Sequence, residues 1–454
     1  MDNYFDVIVI GAGPAGISTA KQLSQKGKSV LVVDNNVANN YVQKGSVLSN
    51  SVLYYSYLYD MFINRIINFI DIKEKDVKVH VKKLRKSIDT IKNKLSKTFI
   101  NELVENNISL KSGVAKFLNE SSILIDDEVY EFDYVVIATG STPKSLKLGS
   151  KINYLTLENF LNLESIPENI TIIGGGYVGV EIAVIFKRFG AQVTIVEKED
   201  KLLRDFDDFI VKKFEDALKK GGVNILKKVV PEKIERVGSK IIIFLNNGEK
   251  IETNETFVAI GREPNLANLD LEKAGIRVKD GRIKLNNYLQ TSNKKVFVVG
   301  DATGFNMFVN WSYKSSEIVV DNILGAKRNY KKVTIPKIIY ADPEIASIGI
   351  TEQEAKEQKM NYEVIKYSFA DIEKSAILGF SKGVIKIIYN KDDSKIVGAH
   401  VLGKGASELI NIFGLMIQLK VGVEKIKTCI FNNPLFASIL TDLSEAIRGK
   451  CCDS

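Results

Sequence analysis

Two glycine clusters carry the most chemistry in this chain of 454 residues. The first, Gly11-Ala12-Gly13-Pro14-Ala15-Gly16, follows the apolar run Phe5-Asp6-Val7-Ile8-Val9-Ile10 and precedes a helical pattern through Ala20 and Leu23. The second, Gly174-Gly175-Gly176-Tyr177-Val178-Gly179, follows Thr171-Ile172-Ile173 in the same way. Each is trailed by an apolar run ending in an acid, Asp34 or Glu197, 23 residues beyond the first glycine of its cluster. Phosphate binding explains these residue types. The first glycine permits a tight turn, the second lets backbone approach a pyrophosphate, and the third lets the helix pack close to the strand. The helix N-terminus then stabilises phosphate charge, and the acid accepts hydrogen bonds from ribose hydroxyls while repelling the extra phosphate of NADP. One such cluster is a weak signal, because glycine-rich turns are common. Two with matched acids predict two dinucleotide-binding folds.

Other residue types set limits. The only cysteines are Cys429, Cys451 and Cys452, which excludes a disulfide scaffold and fits a reducing compartment. The only histidines, His80 in a lysine-rich helical pattern and His400 in a strand pattern, are read as structural. Much of the net charge of +8 gathers between Lys73 and Lys97, beside Val77, Val81, Leu84, Ile88, Ile91 and Leu95. No aromatic residues interleave that charge, so it reads as a solvated helix face and no nucleic-acid partner is expected. No apolar run approaches the roughly 18 residues of a membrane span. Met1-Asp2-Asn3-Tyr4 supplies no basic region ahead of the first apolar run, so a soluble, cytoplasmic protein is expected.

At roughly 100–200 residues per domain, the length suggests three domains. The strand patterns ending in Thr139-Gly140 and in Gly261-Arg262 look like crossings between domains, and a further strand runs into Gly300-Asp301-Ala302. From about Val333 the pattern changes to alternating strands and helices without glycine fingerprints, with strands such as residues 384–389 and 396–401, and reads as a separate α+β domain. Tyr54, Tyr55, Tyr57 and Tyr59 are taken as core and interface packing, with a place over a bound cofactor left open for one of them.

In this order the motifs resemble the FAD-dependent pyridine nucleotide-disulfide oxidoreductases, particularly their dihydrolipoamide dehydrogenase and soluble transhydrogenase branches, over nearly the whole chain. The resemblance implies an α/β fold with two Rossmann-type dinucleotide-binding domains and a C-terminal α+β dimerisation domain. It places the FAD domain at residues 1–147 and 264–332, the NAD(P) domain at 148–263 and the dimerisation domain at 333–454, with a homodimer as the assembly. It implies FAD contacts from Gly11, Gly13, Pro14, Ala15, Gly16, Asp34, Ala115, Thr139, Gly140 and Asp301. For the nicotinamide nucleotide it implies Gly174, Gly176, Tyr177, Val178, Gly179, Glu197, Val229, Gly261 and Arg262. Glu181 matches an acid that the family pairs with a lysine near the flavin. NAD(H) is the expected nucleotide, with NADP(H) left open.

The resemblance breaks at the family's redox residues. Anchored on Gly45, the alignment puts Tyr41 and Ser46 at the places of the redox cysteine pair and Asn50 at that of the lysine. No cysteine precedes Cys429 in any register. The family's catalytic histidine and glutamate correspond to Asn433 and Ser438, neither of which titrates near neutral pH. Phe431-Asn432-Asn433-Pro434 and Tyr313 resemble the transhydrogenase branch. The terminal pair Cys451-Cys452 has parallels in the tails of mercuric reductases and large thioredoxin reductases, but reads here as an adventitious tail. The resulting expectation is an FAD-dependent NAD(P)H oxidoreductase that hands electrons to an external small-molecule acceptor such as a quinone, a second nicotinamide or oxygen. Two alternatives stay open: a dihydrolipoamide dehydrogenase-like protein that has lost its thiol chemistry, and a non-catalytic cofactor-binding or scaffolding protein.

Overall fold

Alternate residues of the first strand, Tyr4–Ile10, feed two different cores. Val7 and Val9 pack with Ala20, Leu23, Trp311 and Val319 on one face, under the helices Pro14–Ser24 and Val309–Ile323. Ile8 and Ile10 join Leu31, Val33, Phe117 and Ile123 on the other. This is the period-two geometry of a strand covered on both sides, and it explains the unbroken Val/Ile run. The computed structural model describes residues 3–36, 46–73, 77–146, 148, 153–380 and 382–441.

The sheet around this strand runs in the order Ser109–Ser112, Val30–Asp34, Tyr4–Ile10, Glu128–Ile137, Ser122–Ile125, Ala115–Phe117. The first four strands are parallel, and the last two are antiparallel additions. Val296–Val298 returns from far along the chain to pair in parallel with Glu128–Ile137, Val296 opposite Val135. The carboxyl ends of the parallel strands therefore bring Gly11, Asp34, Thr139 and Gly300 to one side of the sheet, where open α/β sheets bind ligands.

A second parallel sheet, in the order Val223–Lys227, Gln192–Glu197, Asn169–Ile173, Glu255–Val258, repeats the plan. Its carboxyl ends present Gly174, Glu197 and Ala259, and Pro231–Val237, Lys240–Leu245 and Lys250–Thr253 form an antiparallel sheet beside it. Two short strands, Ser141–Pro143 and Arg262–Pro264, pair antiparallel just beyond the glycine turns of the two sheets. The remaining large sheet is antiparallel, in the order Lys337–Ile339, Ile345–Gly349, Ile396–Leu402, Val384–Asn390, Tyr362–Ser368. The helix Ala406–Gln418 lays Leu409, Ile410 and Phe413 upon it.

The lysine-rich stretch forms the helix Val81–Glu105, which starts later than its apolar pattern suggested; Val77 and the exposed His80 precede it. Val81, Ile88 and Leu103 are buried, and so is Lys92, so one lysine of the supposed solvated face turns inward. Arg85 anchors the helix by donating to the carbonyls of Leu161 and Leu163. Among the described residues no helix is long and apolar enough to cross a membrane.

Candidate functional site

The two glycine clusters are stereochemical copies. Gly11 sits at φ +111° and Gly174 at +108°, and a side-chain carbon on either would fall 2.4 or 2.3 Å from the carbonyl oxygen of Ala138 or Ala259. A carbon on Gly16 or Gly179 would fall 1.9 Å from the oxygen of Gly11 or Gly174, so these glycines exist for packing. Gly13 and Gly176 differ in kind: a carbon there meets nothing within 4 Å. Each of these two residues caps a helix, Pro14–Ser24 or Tyr177–Arg188, with no side-chain hydrogen bond at the cap. The fold leaves room at both helix N-termini, and their free N–H groups and dipole favour an anion.

The acids match as closely. Asp34 accepts hydrogen bonds from the backbone N–H of Ala12 at 2.6 Å and of Asn36 at 2.7 Å. Glu197 accepts from Gly175 at 2.6 Å and Glu199 at 2.9 Å. Both carboxylates are thereby fixed beside the glycine turn. The N–H of Val229 donates to the carbonyl of Glu197 at 3.2 Å, which puts Val229 beside this acid.

One cleft of about 1370 Å³ takes in most of the first cluster and part of the second. Gly11, Gly13, Pro14, Ala15, Asp34, Ala115, Thr139, Gly140 and Asp301 line it, with Tyr177, Val178, Glu181 and Arg262 from the other half. Gly16 lies beneath its floor, packed against Gly11, while Gly174, Gly176, Gly179, Glu197, Val229 and Gly261 lie outside its lining. Asp301 accepts from the Ser141 hydroxyl at 2.6 Å, and Arg262 donates to both the hydroxyl and the carbonyl of Ser141 at 2.7 Å. Burial pushes the Asp301 carboxyl up, against the opposing pull of Ser141 and Arg262. The hydroxyl of Thr139 is buried at the cleft with no hydrogen-bond partner among the described residues.

Tyr177 stands where the two halves meet. Its ring packs edge-on to Phe308 with centroids 4.9 Å apart, and Phe206 lies 5.7 Å away. One helical turn further on, Glu181 faces the same cleft and accepts the backbone N–H of Tyr340 at 3.2 Å. Burial pushes its carboxyl up to about 7.

Asn50, placed by the resemblance where the family keeps a lysine near the flavin, borders the cleft, and so do Tyr54 and Tyr55, two of the tyrosines read mainly as packing. Tyr57 instead lies under Lys404 at 4.2 Å and Arg188 at 5.5 Å, and Tyr59 packs on Phe189. Sequence reasoning missed other lining residues. Ile91 and Leu95, assigned to a lysine-flanked stripe, also reach the cleft, as does Tyr340. No local pattern flags them, because they come from segments that meet only in the fold.

Asn433 and Ser438 do not touch each other. Asn433 donates to Glu373 at 2.8 Å, and the Ser438 hydroxyl donates to the carbonyl of Leu435 at 2.7 Å. Neither lines the cleft, nor does Tyr313, which is half-exposed on its helix. His400 is fully buried between Ser347 and the carbonyl of Ile350, and burial pushes it down to about 4. Tyr41, the side chain of Ser46, and Cys451 and Cys452 lie outside the described residues.

Residues 5–326 match the family described as pyridine nucleotide-disulphide oxidoreductase, and residues 335–443 match its dimerisation domain. The chain belongs to this family. Its members are FAD-dependent oxidoreductases that use FAD and NAD(P)H. The chain is 28% identical to mercuric reductase from Staphylococcus aureus, over 93% of its own length and 79% of the relative's. It is equally similar to dihydrolipoyl dehydrogenase from the same species, over 98% and 97% of the two chains. A solved structure, the Cu(II) complex of the HOCl-induced flavoprotein disulfide reductase RclA from Escherichia coli, superposes with a TM-score of 0.87 at 23% identity. That superposition covers 98% of this chain and 99% of the other, and it supports the fold. The open space at Gly13, the orphaned Thr139 hydroxyl and the fixed Asp34 carboxylate all fit the FAD that this oxidoreductase family uses.

Proposed function

We propose that the chain is an FAD-dependent NAD(P)H oxidoreductase that works as a homodimer and passes electrons to an external small-molecule acceptor without a protein disulfide. The single observation behind this reading is the distribution of thiols. None of the described residues lining the cleft is a cysteine, and the first cysteine in the chain is Cys429, which is exposed. The names of its relatives point to disulfide, lipoyl and mercuric chemistry, so this chain would depart from them at one step.

In this reading the FAD-binding part is residues 1–147 and 264–332, the nicotinamide-binding part 148–263 and the interface part 333–454. Bound FAD supplies hydride acceptance from the nicotinamide and onward electron transfer. Gly13 leaves the approach to the pyrophosphate open, Asp34 takes the adenosine ribose, and Asp301, held by Ser141, takes the ribityl chain. Gly176 and Glu197 serve the pyrophosphate and ribose of the nucleotide in the same manner, and Tyr177 gates the space between the two.

Steady-state oxidation of NADH by the purified holoprotein, with a benzoquinone or with lipoamide as acceptor, tests the reading. Turnover with the quinone and none with lipoamide is expected. Lipoamide reduction would return the chain to thiol chemistry, and no turnover with any acceptor would leave a cofactor-binding protein.

A further inference from the structure

Among the described residues Glu181 has no counter-charge. Its one hydrogen bond is the N–H of Tyr340, and among the described residues no lysine, arginine or histidine forms an ion pair with it. The cleft that Glu181 lines is also lined by Tyr177 from its own helix, by Asn50, Tyr54 and Tyr55 from the helix Ser46–Asn64, and by Ile338 of the strand Lys337–Ile339 with Tyr340 just after it. Burial raises the hydroxyl of Tyr177, and that of Tyr340 is raised too, so both stay neutral. Arg262, the cation among the described lining residues, is bound to Ser141, and Arg188, at the far end of the helix that carries Glu181, pairs with Asp342 at 3.5 Å. Glu197 on a neighbouring strand is spent on two backbone N–H groups, and Glu344 engages Lys404 and Ser407. Glu408 lines the cleft further off, near Tyr340.

Tyr177 and Glu181 are four residues apart on one helix and so present to one face, at the meeting point of the two cofactor halves. A reacting acceptor that receives electrons there lies against that same face. We propose that Glu181 is the catalytic proton donor of this site, a neutral carboxylic acid that protonates the acceptor as it is reduced. The idea rests on the reading of an external acceptor above and deepens it, because a quinone-type acceptor needs a proton and none of the described residues lining this cleft is a cysteine or a histidine.

The balance is simple. Two electrons and one proton reach a quinone as the hydride equivalent that originates in NADH. The O–H bond of Glu181 breaks, a second O–H bond of the hydroquinone forms, and the carboxylate recovers its proton from water. The net change is NADH, one proton and quinone to NAD⁺ and hydroquinone. The burial that holds the carboxyl near 7 gives it the proton at working pH and lets it release that proton readily.

The test uses full-length holoprotein and two acceptors, a benzoquinone, which takes protons, and ferricyanide, which takes electrons alone. In the wild type, quinone reduction should fall as pH rises through about 7, while ferricyanide reduction lacks that limb. Glu181→Gln should lower the quinone rate by roughly 10²-fold more than the ferricyanide rate and abolish the limb. An infrared pH difference spectrum reads the group without turnover. Wild type should lose a protonated-carboxyl C=O band across the same pH range, and Glu181→Gln should lack that change. Identical pH profiles for the two acceptors in wild type, or no carboxyl band assignable to Glu181, overturn the proposal. If lipoamide alone is reduced, the reading of an external acceptor fails as well, and the infrared result still decides whether Glu181 holds a proton.

Discussion

The carboxylate of Glu197 accepts a hydrogen bond from the backbone N–H of Gly175 at 2.6 Å, and this locks a buried negative charge beside the second glycine turn. Lys198 next to it does not offset that charge, because it pairs outward with Glu199 at 3.5 Å. A 2′-phosphate meets repulsion here that a ribose hydroxyl does not. Stopped-flow reduction of the bound flavin should therefore be faster with NADH than with NADPH, and Glu197→Gln should narrow the ratio. Equal or faster reduction by NADPH in the wild type contradicts this assignment.

Gly13 and Gly16 should respond to substitution in opposite ways. A valine at Gly13 fills space that the protein itself leaves empty, so Gly13→Val should fold and purify colourless. An alanine at Gly16 puts a carbon 1.9 Å from the Gly11 carbonyl oxygen and should cost about 1–3 kcal/mol through overpacking. Flavin absorbance and thermal unfolding of the two variants, measured side by side, separate the effects; full flavin occupancy in Gly13→Val would count against the site.

Lys386 is buried with its ammonium 2.7 and 2.8 Å from the two oxygens of Asp207 and 2.7 Å from Glu352. This cluster ties the start of the helix Asp208–Lys220 to the antiparallel sheet. Lys386→Met should destabilise the protein by about 3–5 kcal/mol, since it leaves a buried carboxylate uncompensated. The Lys386 hydrogen bond holds the Glu352 carboxyl down at about 2. A carboxyl lowered in the folded state contributes stability above its unfolded value, and that share is lost as pH falls toward about 2. Acid unfolding curves should show a shallower acid limb in the variant than in the wild type.

For Glu181 the sign reverses. Burial raises its carboxyl from 4.5 to about 7, so the folded protein holds a proton that the unfolded chain has released. The stability tied to that proton is present below about 4.5 and is lost as pH rises through about 7. Glu181→Gln carries no such dependence. The melting temperature of the variant relative to wild type should climb across this interval; a constant difference at all pH values would contradict the buried, unpaired carboxyl.

What the sequence disclosed depended on range. The glycine clusters are local devices, in which strand, turn, helix and acid lie within a short stretch, so residue types and spacing alone located Gly11, Gly174, Asp34 and Glu197. Two strands of the antiparallel C-terminal sheet, Val384–Asn390 and Ile396–Leu402, were legible in the same way. The cluster of Asp207 with Lys386 was not, because these residues lie 179 positions apart and a lysine amid Val384-Ile385-Lys386-Ile387 looks like an exposed strand position. In the fold Lys386 sits opposite the buried His400 on the next strand. The contact of Glu181 with Tyr340, 159 positions apart, was equally hidden, since it joins the helix Tyr177–Arg188 to the residue that follows the strand Lys337–Ile339. Tyr41 and Ser46 were placed by resemblance alone; Tyr41 and the side chain of Ser46 lie outside the described residues.

The central proposal is that electrons stop at the flavin, because the chain has no cysteine before Cys429 and none of the described residues lining the cleft is a cysteine. Anaerobic titration of the full-length protein with NADH, followed by absorbance, tests it most directly. The account predicts that one equivalent bleaches the flavin, with no long-wavelength band of the kind a thiolate packed against the flavin produces. The same titration on a chain truncated before Cys451 should look identical. A charge-transfer band in the full-length protein that disappears on truncation would mean that Cys451 and Cys452 have replaced the missing pair, and the account would be wrong.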